Sequence, residues 1–266
     1  MKPYHFYLKK LGFAVLAVSA FAWTGASAEI ELTPHNLGST GPGPNTFSGT
    51  AELCVFCHTP HGGDTTAAVP LWNRTLAAPG TYTTYSTTSS SSVDGEVAPV
   101  GSVSIACLSC HDGTQAMDTL INTPGSGTDP AAFSASGTWT GADRPQGLAN
   151  IGQDLQNDHP IGIQYGGGGV NTGALVGPTT DPDFNLPANQ VINTTTVWWV
   201  DSETTPDGTR QKTDMQLYTR SVAGIDAGVS QPFVECASCH DPHVNTQTFL
   251  RVSNDGSAVC LACHNK

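Results

Sequence analysis

Long apolar runs are scarce in this sequence: 38% of its 266 residues are hydrophobic, 8% aromatic and 12% charged, against 29 Gly and 18 Pro. A chain of this length ordinarily closes on Leu, Ile, Val and Phe drawn from long periodic elements, so something else must fill the middle. Basic residues are few as well. Ten Lys and Arg face 22 Asp and Glu, a formal charge of −12. That balance excludes a phosphate-binding surface, and with it a nucleic-acid partner, because little positive charge is available to release counterions. Cysteine is present, but no cysteine stands alone: all eight fall into four Cys-x-x-Cys units.

Residues 1–28 read as a secretory signal peptide. Lys2, Lys9 and Lys10 precede an apolar run over residues 11–23, and Ala26-Ser27-Ala28 offers small residues for cleavage. The run is short of the ~20 residues that a membrane span needs, and no later segment is apolar enough to span. The expected product is an exported, acidic chain beginning at Glu29, with no membrane span after cleavage.

The cysteine units are Cys54-Val55-Phe56-Cys57-His58, Cys107-Leu108-Ser109-Cys110-His111, Cys236-Ala237-Ser238-Cys239-His240 and Cys260-Leu261-Ala262-Cys263-His264. Disulfides or a zinc site would account for paired cysteines in an exported chain, but neither accounts for the His. With nine His in 266 residues, one behind every pair has a chance probability on the order of one in a million, whereas c-type haem attachment requires it. Two thiols on one helical turn reach the two vinyl groups of a porphyrin edge. The next residue then lies under the iron, so His58, His111, His240 and His264 are the expected proximal ligands of four covalently bound haem c groups. Thr50, Ser104 and Ser257 stand three residues before a first Cys and are candidate helix caps.

Outside the leader four His remain: His35, His61, His159 and His243. Four irons with four spare imidazoles suit a fully bis-histidine protein, and six-coordinate iron has no open position for a substrate. This argues for an electron carrier and against an enzyme. Met117 and Met215 are competing axial ligands. His61 and His243 each follow a proximal His by three residues, with Pro60 or Pro242 between. A reach of ~10 Å, stiffened by Pro, directs each of them to a haem other than the one attached just before it.

The expected architecture is a multihaem cytochrome c, mostly irregular, with short helices at the CxxCH sites, a small β element and a core built around four stacked haems. Residues 29–49 read as a flexible arm with a Gly/Pro-rich stretch over 38–44. Residues 50–266 form the tetrahaem domain, with a long haem-free insert over about 120–232. Within the insert, residues 194–201 and 213–220 read as two strands around the turn Pro206-Asp207-Gly208. Residues 81–92 read as a polar surface loop, and Trp198 and Trp199 as packing residues.

The stretches Leu53-Cys54-Val55-Phe56-Cys57-His58-Thr59-Pro60-His61-Gly62, Asn157-Asp158-His159-Pro160-Ile161-Gly162 and Cys236-Ala237-Ser238-Cys239-His240-Asp241-Pro242-His243 resemble the outer-surface multihaem cytochromes of metal-reducing bacteria. The count of four motifs is most similar to the tetrahaem, filament-forming (OmcE-like) type. The resemblance implies head-to-tail stacking of subunits into a homopolymer, with an N-terminal imidazole ligating a haem in the neighbouring subunit. His35 occupies the matching position. It also implies partner cytochromes or extracellular electron acceptors, and a place at the cell surface. The alternative of another class is a monomeric, soluble periplasmic shuttle.

Overall fold

The structure, a computed structural model, describes residues 29–85, 92–125, 129–168, 181–220 and 231–265. The leader, residues 86–91 of the Ser/Thr-rich tract and residue 169 of the central glycine run lie outside them. Helices are short, as the Gly and Pro content dictates. They are α1 (Ser104–His111), α2 (Pro130–Ser134), α3 (Cys236–Cys239) and α4 (Ala258–Leu261), and three of the four carry attachment motifs. α2 starts where Asp129 accepts from the Ala131 amide with Pro130 behind it, a standard N-terminal signal. Among the described residues no helix is long and apolar enough to cross a membrane.

Strands β1 (Thr46–Phe47) and β2 (Trp139–Thr140) form a small antiparallel pair. The larger sheet contains β3 (Ile163–Gln164), β4 (Ala188–Ile192), β5 (Thr195–Val200), β6 (Met215–Arg220) and β7 (Gln231–Val234). All neighbours are antiparallel, in the order β3-β7-β6-β5-β4. The expected strand pair is therefore present as β5 and β6, with Trp198 opposite Leu217 and Val200 opposite Met215. The insert is more than that pair. β4 joins β5 through Asn193 and Thr194, both at positive φ (48° and 68°), as a two-residue hairpin turn demands, and β7 runs almost directly into α3.

The apolar residues collect in three modest clusters. One surrounds α1, with Trp72, Tyr82, Val100, Ile105 and Leu108. A second joins Leu37, Phe47, Phe56, Met117 and Phe133, and the third lies on one sheet face with Tyr165, Trp198, Val200, Met215 and Leu217. Trp198 and Trp199 are both buried although their side chains leave opposite faces of the strand. Met117 and Met215 are core residues of these clusters, and the thioether reading of them as ligands is set aside.

Two expectations change. Residues 29–49 are docked instead of hanging free: Thr33, Asn36, Leu37 and Phe47 are buried, and Glu29 accepts from the Asn245 amide at 2.9 Å. The glycines of this stretch serve close approach. A Cβ on Gly41 would stand 1.9 Å from the Asn36 carbonyl oxygen, so Leu37 and Phe47 can anchor the turn on both sides. The caps also differ. No side chain caps α1 or α4; Ser104 lies inside α1 and its hydroxyl binds Glu235 and the Cys236 amide instead, while Thr50 takes the Glu52 amide in a loop. The one reciprocal cap is Glu235 with Ser238 on α3.

Arg74 is fully buried and holds α1 to the following loop. Its guanidinium donates to the carbonyls of Ser109 (3.0 and 3.3 Å), Ala116 (3.0 Å) and Met117 (2.9 Å). Leucine at this position would leave the Ser109 and Met117 carbonyls unpaired, at about 1–3 kcal/mol for each, while the Ala116 carbonyl keeps the Thr119 amide at 3.1 Å. Arg74→Leu is therefore expected to lower unfolding free energy by roughly 3–5 kcal/mol, measured by denaturant titration of the haem-loaded protein. An unchanged midpoint would remove Arg74 from the framework.

Candidate haem centres

Each CxxCH segment closes one helical turn. The amide of the motif His bonds the carbonyl of the first Cys in His58 (2.7 Å), His240 (3.1 Å) and His264 (2.9 Å), and His111 ends α1. All eight cysteines are free thiols. Burial pushes Cys57 and Cys263 up to about 12 and Cys239 up to about 11, whereas the hydrogen bond with Cys107 lowers Cys236. The thiols also order the motifs. Cys57 lies within electrostatic range of Cys110, Cys107 and Cys236 hydrogen-bond each other, and Cys239 senses Cys260. The four attachment segments thus follow one another in chain order, with the second and third in direct contact.

The imidazoles are set by backbone carbonyls. Nδ1 of His58 donates to Pro70 O (2.8 Å), that of His111 to Ala149 O (2.7 Å) and that of His240 to Thr248 O (2.7 Å). A carbonyl can only accept, so these rings carry a proton on Nδ1, and Nε2 is the nitrogen left to serve a metal. His159 makes the same kind of contact with Pro160 O at 3.0 Å, and His243 Nδ1 faces Asp241 Oδ1 at 3.3 Å. His243 in turn holds the Asp241 carboxyl down to about 2. Burial, aided by the nearby His111, lowers His35 to about 4; burial also lowers His111 and His159. These rings are neutral at pH 7, as ligation requires.

Two pairs of rings stand at a telling distance. His58 and His243 have centres 6.3 Å apart with planes at 20°, and His35 and His111 have centres 6.1 Å apart with planes at 73°. Two imidazoles on one metal at ~2.0–2.1 Å, with ~1.2 Å from nitrogen to ring centre, put the centres ~6.4 Å apart. The residues therefore fit haem c: thiol pairs on a turn, rings anchored through Nδ1, and two pairs of rings at a one-iron spacing. His243 faces the His of the first motif and not that of its own. His159 senses His264, whose ring packs on Phe184 at 4.4 Å. His240 is felt by both His35 and His111. His61 is exposed and pairs with no other ring among the described residues. His35, expected to reach across a subunit boundary, is placed against His111 of its own chain, because the docked segment that carries it also stacks the ring on Phe249 at 4.2 Å.

Sequence reasoning did not find the acceptors Pro70, Ala149 and Thr248, since a carbonyl oxygen carries no residue signature. It also passed over Glu235, directly before the third motif. This carboxylate is buried, pairs with Arg220 at 3.1 Å and accepts from Ser104. Only its position ahead of the motif could have signalled it.

Compared with known families, residues 231–266 match a model described as the doubled CXXCH motif. No curated protein matches the chain. The doubled motif indicates covalently bound c-type haem and, with it, haem-dependent electron transfer.

Burial pushes the Glu235 carboxyl up to about 7, against the opposing pull of Ser104 and Arg220. The folded chain then binds this proton more tightly than the unfolded chain does. The resulting stability is fully present below the ordinary carboxylate range and is lost as pH rises through about 7. Between pH 4 and 8 the wild type should lose on the order of 3 kcal/mol relative to a Glu235→Gln variant, read from denaturant titrations of both. Parallel pH profiles would show that folding leaves the Glu235 carboxyl unshifted.

Proposed function

We propose that this chain is an exported electron carrier that holds four haem c groups, one per motif, each between two histidines, and that it works outside the cell as the subunit of a head-to-tail filament. The observation that carries the carrier reading is the pairing of His58 with His243 and of His35 with His111 at a one-iron spacing. Rings on both sides leave no position for a substrate, so no catalytic role is assigned. When bound, haem c supplies a one-electron iron couple. The chain's own task is to fix eight thiols and the imidazoles, anchor the rings through Nδ1, and bring the four attachment segments together in chain order.

The filament reading draws on the resemblance of the motif-bearing stretches to filament-forming tetrahaem cytochromes. The ring left to serve a boundary is His61, exposed and without a ring contact, while His35 is engaged within its own chain. Heterologous contacts that do not close on themselves extend without limit. The closure of His35 on its own His111 favours a second reading, a self-contained periplasmic shuttle. Negative-stain microscopy of native, haem-loaded protein separates the two. Filaments of repeating subunits are expected, and wholly monomeric particles would leave the shuttle.

A further inference from the structure

Loop 201–214 joins β5 to β6 and has no part in the haem centres. It carries Asp201, Glu203, Asp207 and Asp214, and no ion pair reaches any of them among the described residues. Of the two cations on the loop, Arg210 gives its Nε to Gln216 at 2.7 Å, and Lys212 makes no ion pair among the described residues. One carboxylate oxygen from each of Asp201, Glu203 and Asp207 converges so that all lie within 4.8 Å of one another. Exposed acidic groups meet often without consequence, but Asp201 is not exposed. Only 9% of it is accessible, and its Oδ1 is buried with no hydrogen-bond partner. On the same loop Gln211 Oε1 is also buried and unpartnered, while its amide nitrogen stands 3.4 Å from Asp207. Burying a carboxylate oxygen without a donor or counter-charge is costly. Asp201 Oδ1, in one of the three converging carboxylates, and Gln211 Oε1 on the same loop are thus left for a cation to satisfy.

We propose that this loop is a Ca²⁺ site, with Asp201, Glu203 and Asp207 as carboxylate ligands. The donors are all oxygen, which selects hard cations over zinc, copper or iron. Mg²⁺ demands a near-ideal octahedron and gives up its waters reluctantly, whereas Ca²⁺ accepts irregular all-protein oxygen sets at about 2.3–2.6 Å, so carboxylates gathered on a loop suit Ca²⁺. The loop is already shaped for this. Asp201 Oδ2 accepts from the amides of Asp207 and Gly208, both at 3.0 Å, which brings Asp207 back over Asp201. Asp214, fully buried, takes Ser202 N at 3.2 Å and Gln211 N, and so closes the base of the loop. The same loop borders an open cleft whose far wall includes Leu261 and Ala262 of the fourth attachment motif. A bound ion would therefore brace the β5–β6 hairpin where it faces that motif.

The test is calorimetric titration of the haem-loaded protein, first stripped with chelator, with CaCl₂ and separately with MgCl₂. One Ca²⁺ per chain is expected, with a Kd on the order of 10⁻⁴ M and much weaker Mg²⁺ binding. Glu203→Gln and Asp207→Asn, both at exposed positions, should each weaken Ca²⁺ roughly tenfold or more. Thermal melting with and without Ca²⁺ gives an independent reading, with a rise in midpoint for the wild type alone. The proposal is overturned if Ca²⁺ gives no heat at millimolar concentration, if both variants bind as the wild type does, or if Mg²⁺ binds equally well.

Discussion

Everything else in this structure depends on one hydrogen bond used repeatedly, from imidazole Nδ1 to a backbone carbonyl. His58, His111 and His240 each make it, with acceptors 12, 38 and 8 residues away in sequence. A ring held this way cannot rotate, has its tautomer fixed and presents Nε2 alone. The acceptor must be brought to the ring by tertiary structure. Loops such as the one carrying Pro70, and the return of the chain at Ala149, therefore serve as framework although they have no regular form.

This reliance on polar fixation explains how so lean a chain is organised. Its apolar clusters are small, and the residues that join one attachment segment to another are polar and buried. Arg74 ties the end of α1 to residues 116–117. Asn73 holds the first motif through Val55 O (2.6 Å) and the later loop through Asn122 O (2.7 Å) and the Asn122 amide (2.8 Å). Ser104, Glu235 and Arg220 join α1 to α3 and to the sheet. Buried groups of this kind are expensive unless every one of them is satisfied, so each becomes a point at which a single substitution is felt at two motifs.

The chemistry of the centres was legible in the sequence, because thioether attachment fixes both residue type and spacing. The helical turns at the motifs, the β5–β6 pair and the burial of Trp198 and Trp199 were legible for the same local reasons. What escaped was set by tertiary context. The stretch around Gly41 reads as a linker until the close approach of Asn36 is seen. Ser104 reads as a cap but is drawn inside α1 by Glu235, 131 residues away. The partner of each spare His was equally hidden: the direction of His243 away from its own motif follows from chain reach, but the match with His58 rests on the whole fold.

The central claim is that rings from distant motifs share one iron, and the pairing of His58 with His243 tests it most directly. In the haem-loaded protein, His243→Ala should convert one low-spin, six-coordinate iron to a high-spin form that binds carbon monoxide when reduced. Removing the first attachment site as well, by Cys54→Ala and Cys57→Ala, should abolish that high-spin signal in the electron paramagnetic resonance spectrum. If the signal survives loss of the first site and vanishes only with Cys236→Ala and Cys239→Ala, then His243 serves the haem of its own motif and the account is wrong.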